Sequence, residues 1–244
     1  MTFLESLFDV AGRVTLVGGA SRGLGEAIAG GLHRAGAVVV GAARSAPAQT
    51  PEWDFRTCDV GDTKAFDALC REIASARGKI HGYVHSAGIT LPEANQSGGA
   101  FRHTLETNLA AAYDCCRRVV GDMDRGGSIL LISSIGARLG FPDNPGYAAS
   151  KGGLSALVRA LAVDLSAADI RVNSIAPGYI RTAMTEASYQ DRDKRQARLD
   201  RTVLGRWGQP ADVVGAAVFL LSGASAYVTG QELVVDGGWT ARGL

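Results

Sequence analysis

The stretch RVTLVGGASRGLGEAIAGGLHRAG, residues 13–36, changes its pattern halfway along. An apolar run at residues 14–17 is followed by Gly19, Gly23 and Gly25, and apolar residues then recur at helical spacing, at Leu24, Ile28 and Leu32. The pattern predicts a strand, a tight turn and a helix, in which a backbone without Cβ atoms can approach a pyrophosphate at the helix N-terminus. Because the glycine spacing departs from G-x-G-x-x-G, a plain glycine-rich turn stays open as the alternative.

The rest of the chain repeats this alternation. Six further apolar segments are typical of strands, at about 37–44, 55–60, 79–88, 127–134, 170–178 and 231–238. Helix-like segments lie between them, at about 62–77, 100–122, 146–166 and 210–222. The alternation predicts an α/β fold, a doubly wound parallel sheet of about seven strands with helices on both faces and ligands at the carboxyl ends of the strands. No linker divides the chain, so we expect residues 1–244 to form a single domain.

Composition argues against several classes of partner. The formal net charge of the 244 residues is +1, and no stretch concentrates Lys and Arg strongly enough to suggest a nucleic-acid or membrane surface, so we expect neither as a partner. The N-terminus lacks a basic n-region, and the longest apolar run, VVGAAVFLL, is too short for a membrane span, which predicts a cytoplasmic protein. The four cysteines and four histidines lack metal-ligand spacing, which predicts buried free thiols and no metal site.

The end of the second predicted strand bears on the choice of dinucleotide. In GAAR, Ala43 stands where a carboxylate would hold the ribose hydroxyls in an NAD site, and Arg44 follows at once. Arg22, in the glycine loop, could join Arg44 around a 2′-phosphate, because guanidinium groups match phosphate geometry. The sequence therefore favours NADP, with NAD possible, against the alternative that Arg44 is a solvated residue at a strand end.

The stretch GYAASKGG, residues 146–153, places Tyr147 and Lys151 on one face of a predicted helix. A phenol with a pKa near 10 needs a neighbouring cation to exchange protons near neutrality, and Lys151 is placed to provide it. Ser134 ends a predicted strand, where its hydroxyl could bind a substrate oxygen, and Asn108 could support the lysine through a water. The alternative is a surface lysine near a half-buried tyrosine.

Together these motifs resemble the short-chain dehydrogenase/reductase family over nearly the whole chain. The resemblance implies a Rossmann-like dinucleotide-binding catalytic domain. The matching pieces are the glycine loop, CDV at 58–60, SAG at 86–88, TNLAA at 107–111, ISS at 132–134, YAASK at 147–151, APGYIRT at 176–182 and YVTGQELVVDGG at 227–238.

The resemblance implies a role for each residue of the catalytic set. Tyr147 would be the general acid/base, and Lys151 would lower its pKa and hold the nicotinamide ribose. Ser134 would orient and polarise the carbonyl, and Asn108 would maintain a proton relay behind the lysine. Contacts with the dinucleotide are implied, besides Tyr147 and Lys151, for Gly19, Ser21, Arg22, Gly23, Leu24, Gly25, Arg44, Asp59, Val60, Ser86, Ala87, Gly88, Pro177, Gly178, Ile180 and Thr182.

Three departures from the family pattern carry expectations of their own. Gly18 replaces a threonine whose hydroxyl ties the glycine loop to the fold. His85 and Ser86 replace two asparagines, and we expect His85 to be a packed or hydrogen-bonded substitute rather than a catalyst. Residues 45–54 are too few for the helix that usually joins strands two and three, so we expect an irregular connection and a more open 2′-phosphate region.

The resemblance implies an NAD(P)-dependent oxidoreductase that transfers a hydride between a nicotinamide cofactor and a secondary alcohol or ketone. The segments after residue 205 look most like the gluconate 5-dehydrogenase group, which favours a sugar acid or polyol as substrate. The alternatives are a 3-oxoacyl-carrier-protein reductase and, more remotely, a non-catalytic dinucleotide sensor, whose expected signature is loss of Tyr147 or Lys151.

A charged segment and two helices complete the expectations. Residues 183–205 would form a substrate loop, helical over about 186–201. Its basic residues are interpreted as a solvated helix face, with attraction of a carboxylate or phosphate as the alternative: Arg192, Lys194, Arg195 and Arg198. The resemblance also implies a homo-oligomer, a tetramer or dimer, built on the helices around 100–122 and 146–166 and on the C-terminal tail.

Overall fold

A single seven-stranded sheet organises the protein, whose computed structural model describes residues 2–91 and 99–242. Its strands are β1 (Val14–Gly18), β2 (Val38–Ala43), β3 (Asp54–Thr57), β4 (Ile80–His85), β5 (Met123–Ile132), β6 (Arg171–Pro177) and β7 (Glu232–Val235). They follow the order β3-β2-β1-β4-β5-β6-β7, and every neighbouring pair is parallel. The predicted parallel sheet is confirmed.

The predicted helices are present, with ends within a few residues of the predicted bounds, and a short helix before β1 was not predicted. The helices are α1 (Phe3–Leu7), α2 (Gly23–Arg34), α3 (Thr63–Arg77), α4 (Ala100–Leu105), α5 (Ala111–Val119), α6 (Pro145–Asp164), α7 (Glu186–Gln190), α8 (Arg192–Arg201) and α9 (Val214–Leu221). One departure is that a π-helical turn, Glu106–Ala110, joins α4 to α5, so the predicted helix 100–122 is not uniformly α-helical.

The strand order determines where a ligand-binding crevice can form. β1 pairs with β2 on one side and with β4 on the other, so the chain starts at the middle of the sheet and later crosses to the opposite half. At such a reversal, the loops that leave the two neighbouring strands diverge and open a crevice at their carboxyl ends. The glycine loop after β1 and the segment after β4 both lie there.

Two apolar layers hold the helices against the sheet. On one face, α3, α5 and α6 bury a cluster that includes Phe66, Cys116, Ile129 and Leu154. On the other face, α2 and α9 bury a second cluster that includes Ile28, Val39, Ile175 and Leu220. Strands covered on both faces read as continuous apolar runs, which is why they were recognisable in the sequence.

The connection between β2 and β3 contains no helix, as predicted. Trp53 takes up the space at this edge: a Cβ atom added at Gly30 of α2 would lie 3.1 Å from its ring, and one at Gly41 of β2 only 2.8 Å from its Nε1 atom. The indole thus packs directly on helix and strand backbone. The glycines at these two positions are what let it approach.

The cysteines are buried free thiols, as predicted. Burial raises the pKa of Cys70 and of Cys115 to about 12, so both are protonated at neutral pH. Within residues 2–91 and 99–242, no three His, Cys, Asp or Glu side chains are grouped so that they could hold a metal ion. Over the same ranges, no helix combines the length and apolarity needed to cross a membrane.

Candidate active site

A cleft with a volume of about 470 Å³ opens at the carboxyl ends of the central strands. It brings together the glycine loop, the ends of β2 and β4, the start of α6 and the segment after β6. Of the residues that the sequence predicts for the site, all line this cleft except Gly25 and Asn108, which lie behind its wall. The site therefore draws on segments from nearly the full length of the chain.

The glycine loop is packed too tightly for side chains. Gly19 has a φ of +83°, and a Cβ atom there would lie 2.6 Å from the backbone nitrogen of Ala87. A Cβ atom at Gly25 would lie 2.2 Å from the carbonyl oxygen of Gly19. Gly25 therefore lets α2 begin directly against the loop.

The start of α2 suits a phosphate group. Arg22 is the N-cap residue, and no side chain in the described part of the chain caps the first backbone N–H groups of this 12-residue helix. Those donors and the helix dipole favour an anion there, and the bare glycine backbone leaves space for it. The arrangement fits the pyrophosphate of a dinucleotide.

Arg22 and Arg44 both line the cleft and are exposed. Neither forms an ion pair with another described residue. Ser45, which the sequence reading did not single out, lines the cleft beside Arg44. Two unpaired guanidinium groups and a hydroxyl make this corner suitable for a 2′-phosphate.

Tyr147, in the first turn of α6, faces Ser134 across the cleft. Burial raises the pKa of the Tyr147 phenol, and a hydrogen bond with Ser134 acts in the opposite direction. The Ser134 hydroxyl oxygen accepts a 3.0 Å bond from the backbone nitrogen of Gly136, which fixes its orientation and leaves its proton to be donated. One donor and one phenol therefore meet where a substrate oxygen could bind both.

Lys151 lies one turn further along α6 and is buried. Its Nζ atom donates a 2.8 Å hydrogen bond to the carbonyl oxygen of Ile132 and lies 5.6 Å from the centre of the Tyr147 ring. Desolvation lowers the pKa of Lys151 to about 8. The expected lowering of the Tyr147 pKa is not found for these residues alone, because the effect of burial on the phenol is the larger one.

Asn108 lies in the π-helical turn and is fully buried. Its Oδ1 atom accepts a 2.8 Å bond from the backbone nitrogen of Ile89, and its Nδ2 atom donates to the Ile89 carbonyl at 2.9 Å and to Ser150 Oγ at 3.1 Å. A Cβ atom at Gly88 would lie 3.3 Å from Asn108 Oδ1 and 3.7 Å from Lys151 Nζ. Asn108 and Lys151 therefore both flank Gly88, with Asn108 on the far side of the cleft wall.

His85 is packed beneath the site, as predicted. Its Nδ1 atom lies 2.8 Å from the hydroxyl of Tyr83, and burial lowers its pKa to about 3, so the ring is neutral. The Tyr83 hydroxyl would lie 3.4 Å from a Cβ atom at Gly18, the position of the missing threonine. The Tyr83–His85 pair thus fills the space beside the loop that a side chain at residue 18 would contact.

Further residues line the cleft, and two of them fall within residues 183–205, the predicted substrate loop. Met184 and Thr185 reach the cleft from the segment after β6, and Thr185 Oγ1 donates a 2.6 Å bond to the carbonyl of Ile180. His103, Glu106 and Thr107 line it from the α4 end of the interrupted helix. These three positions have i, i+3, i+4 spacing and so lie on one side of the helix, but the sequence did not single them out.

The charged segment is helical as predicted, in two pieces, α7 and α8. Its basic residues divide into two sets. Arg192 and Lys194 are exposed, as a solvated face requires. Arg195 and Arg198 are half-buried, and their guanidinium carbons lie 5.5 Å from the Tyr189 ring centre and 5.0 Å from the Tyr179 ring centre. The solvated-face interpretation is therefore wrong for these two arginines.

Known proteins resemble this chain in sequence over almost its full length. The family profile described as enoyl-(acyl carrier protein) reductase matches residues 19–240. The 2-dehydro-3-deoxy-D-gluconate 5-dehydrogenase of Pseudoalteromonas atlantica is 36% identical over 250 residues, covering 96% of this chain and 98% of that protein. The 3-oxoacyl-[acyl-carrier-protein] reductase of Vibrio harveyi is 32% identical, covering 94% and 98%.

A solved structure shares the fold closely. It is a gluconate 5-dehydrogenase from Burkholderia cenocepacia in complex with NADP and tartrate, with a TM-score of 0.91 and 31% sequence identity. The match covers 98% of this chain and 100% of that chain. The likeness therefore extends to the whole sheet, the helices on both faces and the segments that line the cleft.

Proposed function

This chain belongs to the short-chain dehydrogenase/reductase family, and on that premise we propose that it interconverts a hydroxyl and a keto group of a sugar acid or polyol with NADP. The observation that carries the proposal is the convergence of Tyr147, Ser134 and Lys151 in the cleft that the glycine loop borders. A phenol, a hydroxyl donor and a buried cation are what proton exchange at a carbonyl oxygen requires.

In the proposed mechanism, Ser134 donates a hydrogen bond to the substrate oxygen and Tyr147 gives it a proton or takes one from it. Lys151, with a pKa of about 8, is largely protonated at pH 7, and its charge favours the phenolate that forms at Tyr147. Asn108 would act behind Lys151, through Ser150 and Ile89. The bound dinucleotide supplies or accepts the hydride at its nicotinamide ring.

The preference for NADP has two supports. The relative from Burkholderia cenocepacia was solved with NADP. In this chain, Arg22, Arg44 and Ser45 border the cleft where β2 ends, and no carboxylate stands at Ala43, the position that holds ribose hydroxyls in an NAD site. The remaining predicted contacts, from Asp59 to Thr182, line the same cleft and would hold the rest of the dinucleotide.

The choice of a sugar acid is supported by the relatives that carry such activities in their names, at up to 36% identity. Reduction of a 3-oxoacyl thioester is the second candidate, because relatives of that activity are 32% identical over 94% of the chain. A non-catalytic dinucleotide sensor is disfavoured, because Tyr147 and Lys151 are both present and both reach the cleft.

A substrate panel tests the proposal. NADPH consumption is followed with 5-ketogluconate, small diketones and an acetoacetyl thioester, and NADP reduction is followed with gluconate. We expect turnover of the sugar-acid pair. Turnover of the thioester alone would replace the sugar-acid proposal with the second candidate, and no turnover of any compound by a protein that binds NADPH would favour the sensor.

We further propose a homotetramer. A shallow apolar groove runs between the α4–α5 segment and α6, lined by Leu105, Leu109, Tyr113, Gly153, Ala156 and Leu157, and 45% of Tyr113 is exposed. Small residues at 153 and 156 permit close approach of a second pair of helices. Light scattering should report dissociation for Ala156→Arg and no change for Ala76→Arg, an exposed position on α3.

A cytoplasmic location is proposed on the state of the thiols. All four cysteines are free and buried, as is usual in a reducing compartment. Cell fractionation with an antibody against the protein tests this location.

A further inference from the structure

An aromatic cluster lies beside the reacting groups, centred on Tyr179. This residue follows Gly178, which lines the cleft, and Phe141 of the same cluster lies beside Ser134: a Cβ atom at Gly136 would be 3.1 Å from the Phe141 ring and 3.4 Å from Ser134 Oγ. Its ring packs against three others, with centroid distances of 4.8 Å to Trp239, 5.4 Å to Trp207 and 6.3 Å to Phe141. The cluster therefore adjoins the cleft at the catalytic residues.

Two cations are held over this cluster, and one of them, Arg201, lies 5.1 Å from the centre of the Trp239 ring. The guanidinium carbon of Arg198, on α8, lies 5.0 Å from the centre of the Tyr179 ring. The Nε atom of Arg198 is buried and has no hydrogen-bond partner among the described residues, and Nη1 donates a single 3.2 Å bond to the Lys194 carbonyl. The guanidinium group thus keeps most of its five donors free.

Three acidic groups near Arg198 along the chain are engaged elsewhere. Glu186 binds Arg181 through two hydrogen bonds, and Asp191 caps α8 and pairs with Lys194. Asp200 accepts a 2.7 Å bond from Gln196. Within the parts of the chain that are described, no carboxylate is within ion-pair distance of Arg198.

A half-buried cation without a counterion is costly unless an anion joins it. Arg198 shares this condition with Arg195, which lies over the Tyr189 ring, whereas Arg198 lies over Tyr179, next to the cleft residue Gly178. Arg192 is exposed to solvent, and Arg181 has its own carboxylate. Arg198 itself lies outside the cleft lining, and its free N–H donors match the geometry of a carboxylate, which could bind two of them at once.

We propose that Arg198, supported by the Tyr179 ring, binds the carboxylate of the substrate and so selects sugar acids over neutral polyols. This inference rests on the proposed function, since it assigns the acid group of that same substrate. It also gives α8 a role, because the helix carries the cation to the aromatic cluster beside Ser134.

The test compares two substrates that differ only in the acid group, D-gluconate and D-glucitol, in which a hydroxymethyl group replaces the carboxylate. Arg198→Met removes the charge and keeps most of the side-chain length, and Arg198→Lys keeps the charge. Arg192→Met, on the exposed side of the same helix, is the matched control. We expect Arg198→Met to raise KM for gluconate by about 10- to 100-fold, as loss of a charge-assisted bidentate contact does, with part of the loss restored in Arg198→Lys.

A purely structural role for Arg198 gives a different pattern. If Arg198 only holds the aromatic cluster, Arg198→Met lowers kcat/KM for gluconate and for glucitol by equal factors, or it weakens NADP binding. Either result overturns the proposal. An unchanged KM for gluconate in Arg198→Met also overturns it while leaving the proposed function intact. If the wild-type protein turns over no sugar acid, the proposed function fails first and the inference fails with it.

Discussion

The Nζ atom of Lys151 lies 5.6 Å from the centre of the Tyr147 ring while it donates a hydrogen bond to the Ile132 carbonyl. The lysine is therefore anchored to β5, and its charge stands beside the phenol without a direct bond to it. In the proposed mechanism the phenol oxygen therefore exchanges the proton, and Lys151 acts through its charge. The two side chains can consequently be tested separately.

Replacing Tyr147 with Phe removes the proton donor and keeps the ring. We expect kcat to fall by at least about 100-fold, the usual contribution of a general acid or base, with the dissociation constant for NADP within about twofold of wild type. Steady-state kinetics and fluorescence titration of the cofactor give both values. Tyr227→Phe, at a fully exposed tyrosine, is the control, and a Tyr147→Phe enzyme near full rate would remove the phenol from the mechanism.

Lys151 should make stability depend on pH. Its pKa is about 8 in the folded protein and near 10.5 when unfolded, so between these values the unfolded chain binds more protons and the free energy of unfolding rises with pH. The charged form is the one that burial disfavours. We expect wild type to gain about 2 kcal/mol relative to Lys151→Met between pH 7 and 9.5.

Urea unfolding of both proteins at the two pH values measures this gain. Other titrating groups are common to both, so the difference between the two proteins isolates Lys151. Parallel pH dependence in wild type and Lys151→Met would mean that the lysine keeps an ordinary pKa in the folded state.

Arg44 should set the choice between the two dinucleotides. It lines the cleft and is free of ion pairs with described residues, so its charge is available to a 2′-phosphate. Arg44→Asp introduces a carboxylate that repels the phosphate and can accept bonds from ribose hydroxyls. We expect the ratio of kcat/KM for NADPH over NADH to fall by about 10-fold or more, given the 1.5–3 kcal/mol of a charge-assisted hydrogen bond.

The control for this change is Arg125→Asp, near the amino end of β5 and so far from the carboxyl ends that form the cleft. Arg125→Asp changes the net charge by the same amount as Arg44→Asp does. A similar fall in both variants would point to a long-range effect of charge, and unchanged selectivity in Arg44→Asp would leave the phosphate to Arg22.

Much of the fold was predictable because the buried strands are continuous apolar runs and the helices have clear periodicity. The positions of Ser134, Tyr147 and Lys151 in the cleft followed from strand ends and from i, i+4 spacing. The π-turn at Asn108 was not predictable, because a bulge leaves no trace in apolar periodicity. Nor was the packing of Arg198 on Tyr179, which depends on how α8 folds back over the sheet.

The connection after β2 shows the same division between pattern and packing. Its length ruled out a helix from the sequence alone. That Trp53 would pack on Gly30 and Gly41 in place of the helix could not be inferred, since it requires knowing that these glycines share one edge of the sheet with the indole. Side-chain contacts between segments far apart in sequence were the part that only the structure supplied.

A substitution at Gly25 tests the tight packing of the glycine loop. Alanine favours helices by about 0.5–1 kcal/mol over glycine, so Gly25→Ala would be stabilising if propensity alone mattered. The added methyl group would, however, lie 2.2 Å from the Gly19 carbonyl oxygen, a backbone atom that can move only with the loop. We expect Gly25→Ala to destabilise the protein by about 1–3 kcal/mol and to weaken NADP binding by at least about 10-fold.

Gly121→Ala is the matched control, because a Cβ atom there meets nothing within 4 Å and the backbone is not in the left-handed region. That variant should bind NADP as wild type does and unfold at an equal or higher urea concentration. Since both changes add one methyl group, their difference reports the loop contact alone. Equal behaviour of the two variants would show that the start of α2 can move away from Gly19 without disturbing the cofactor site.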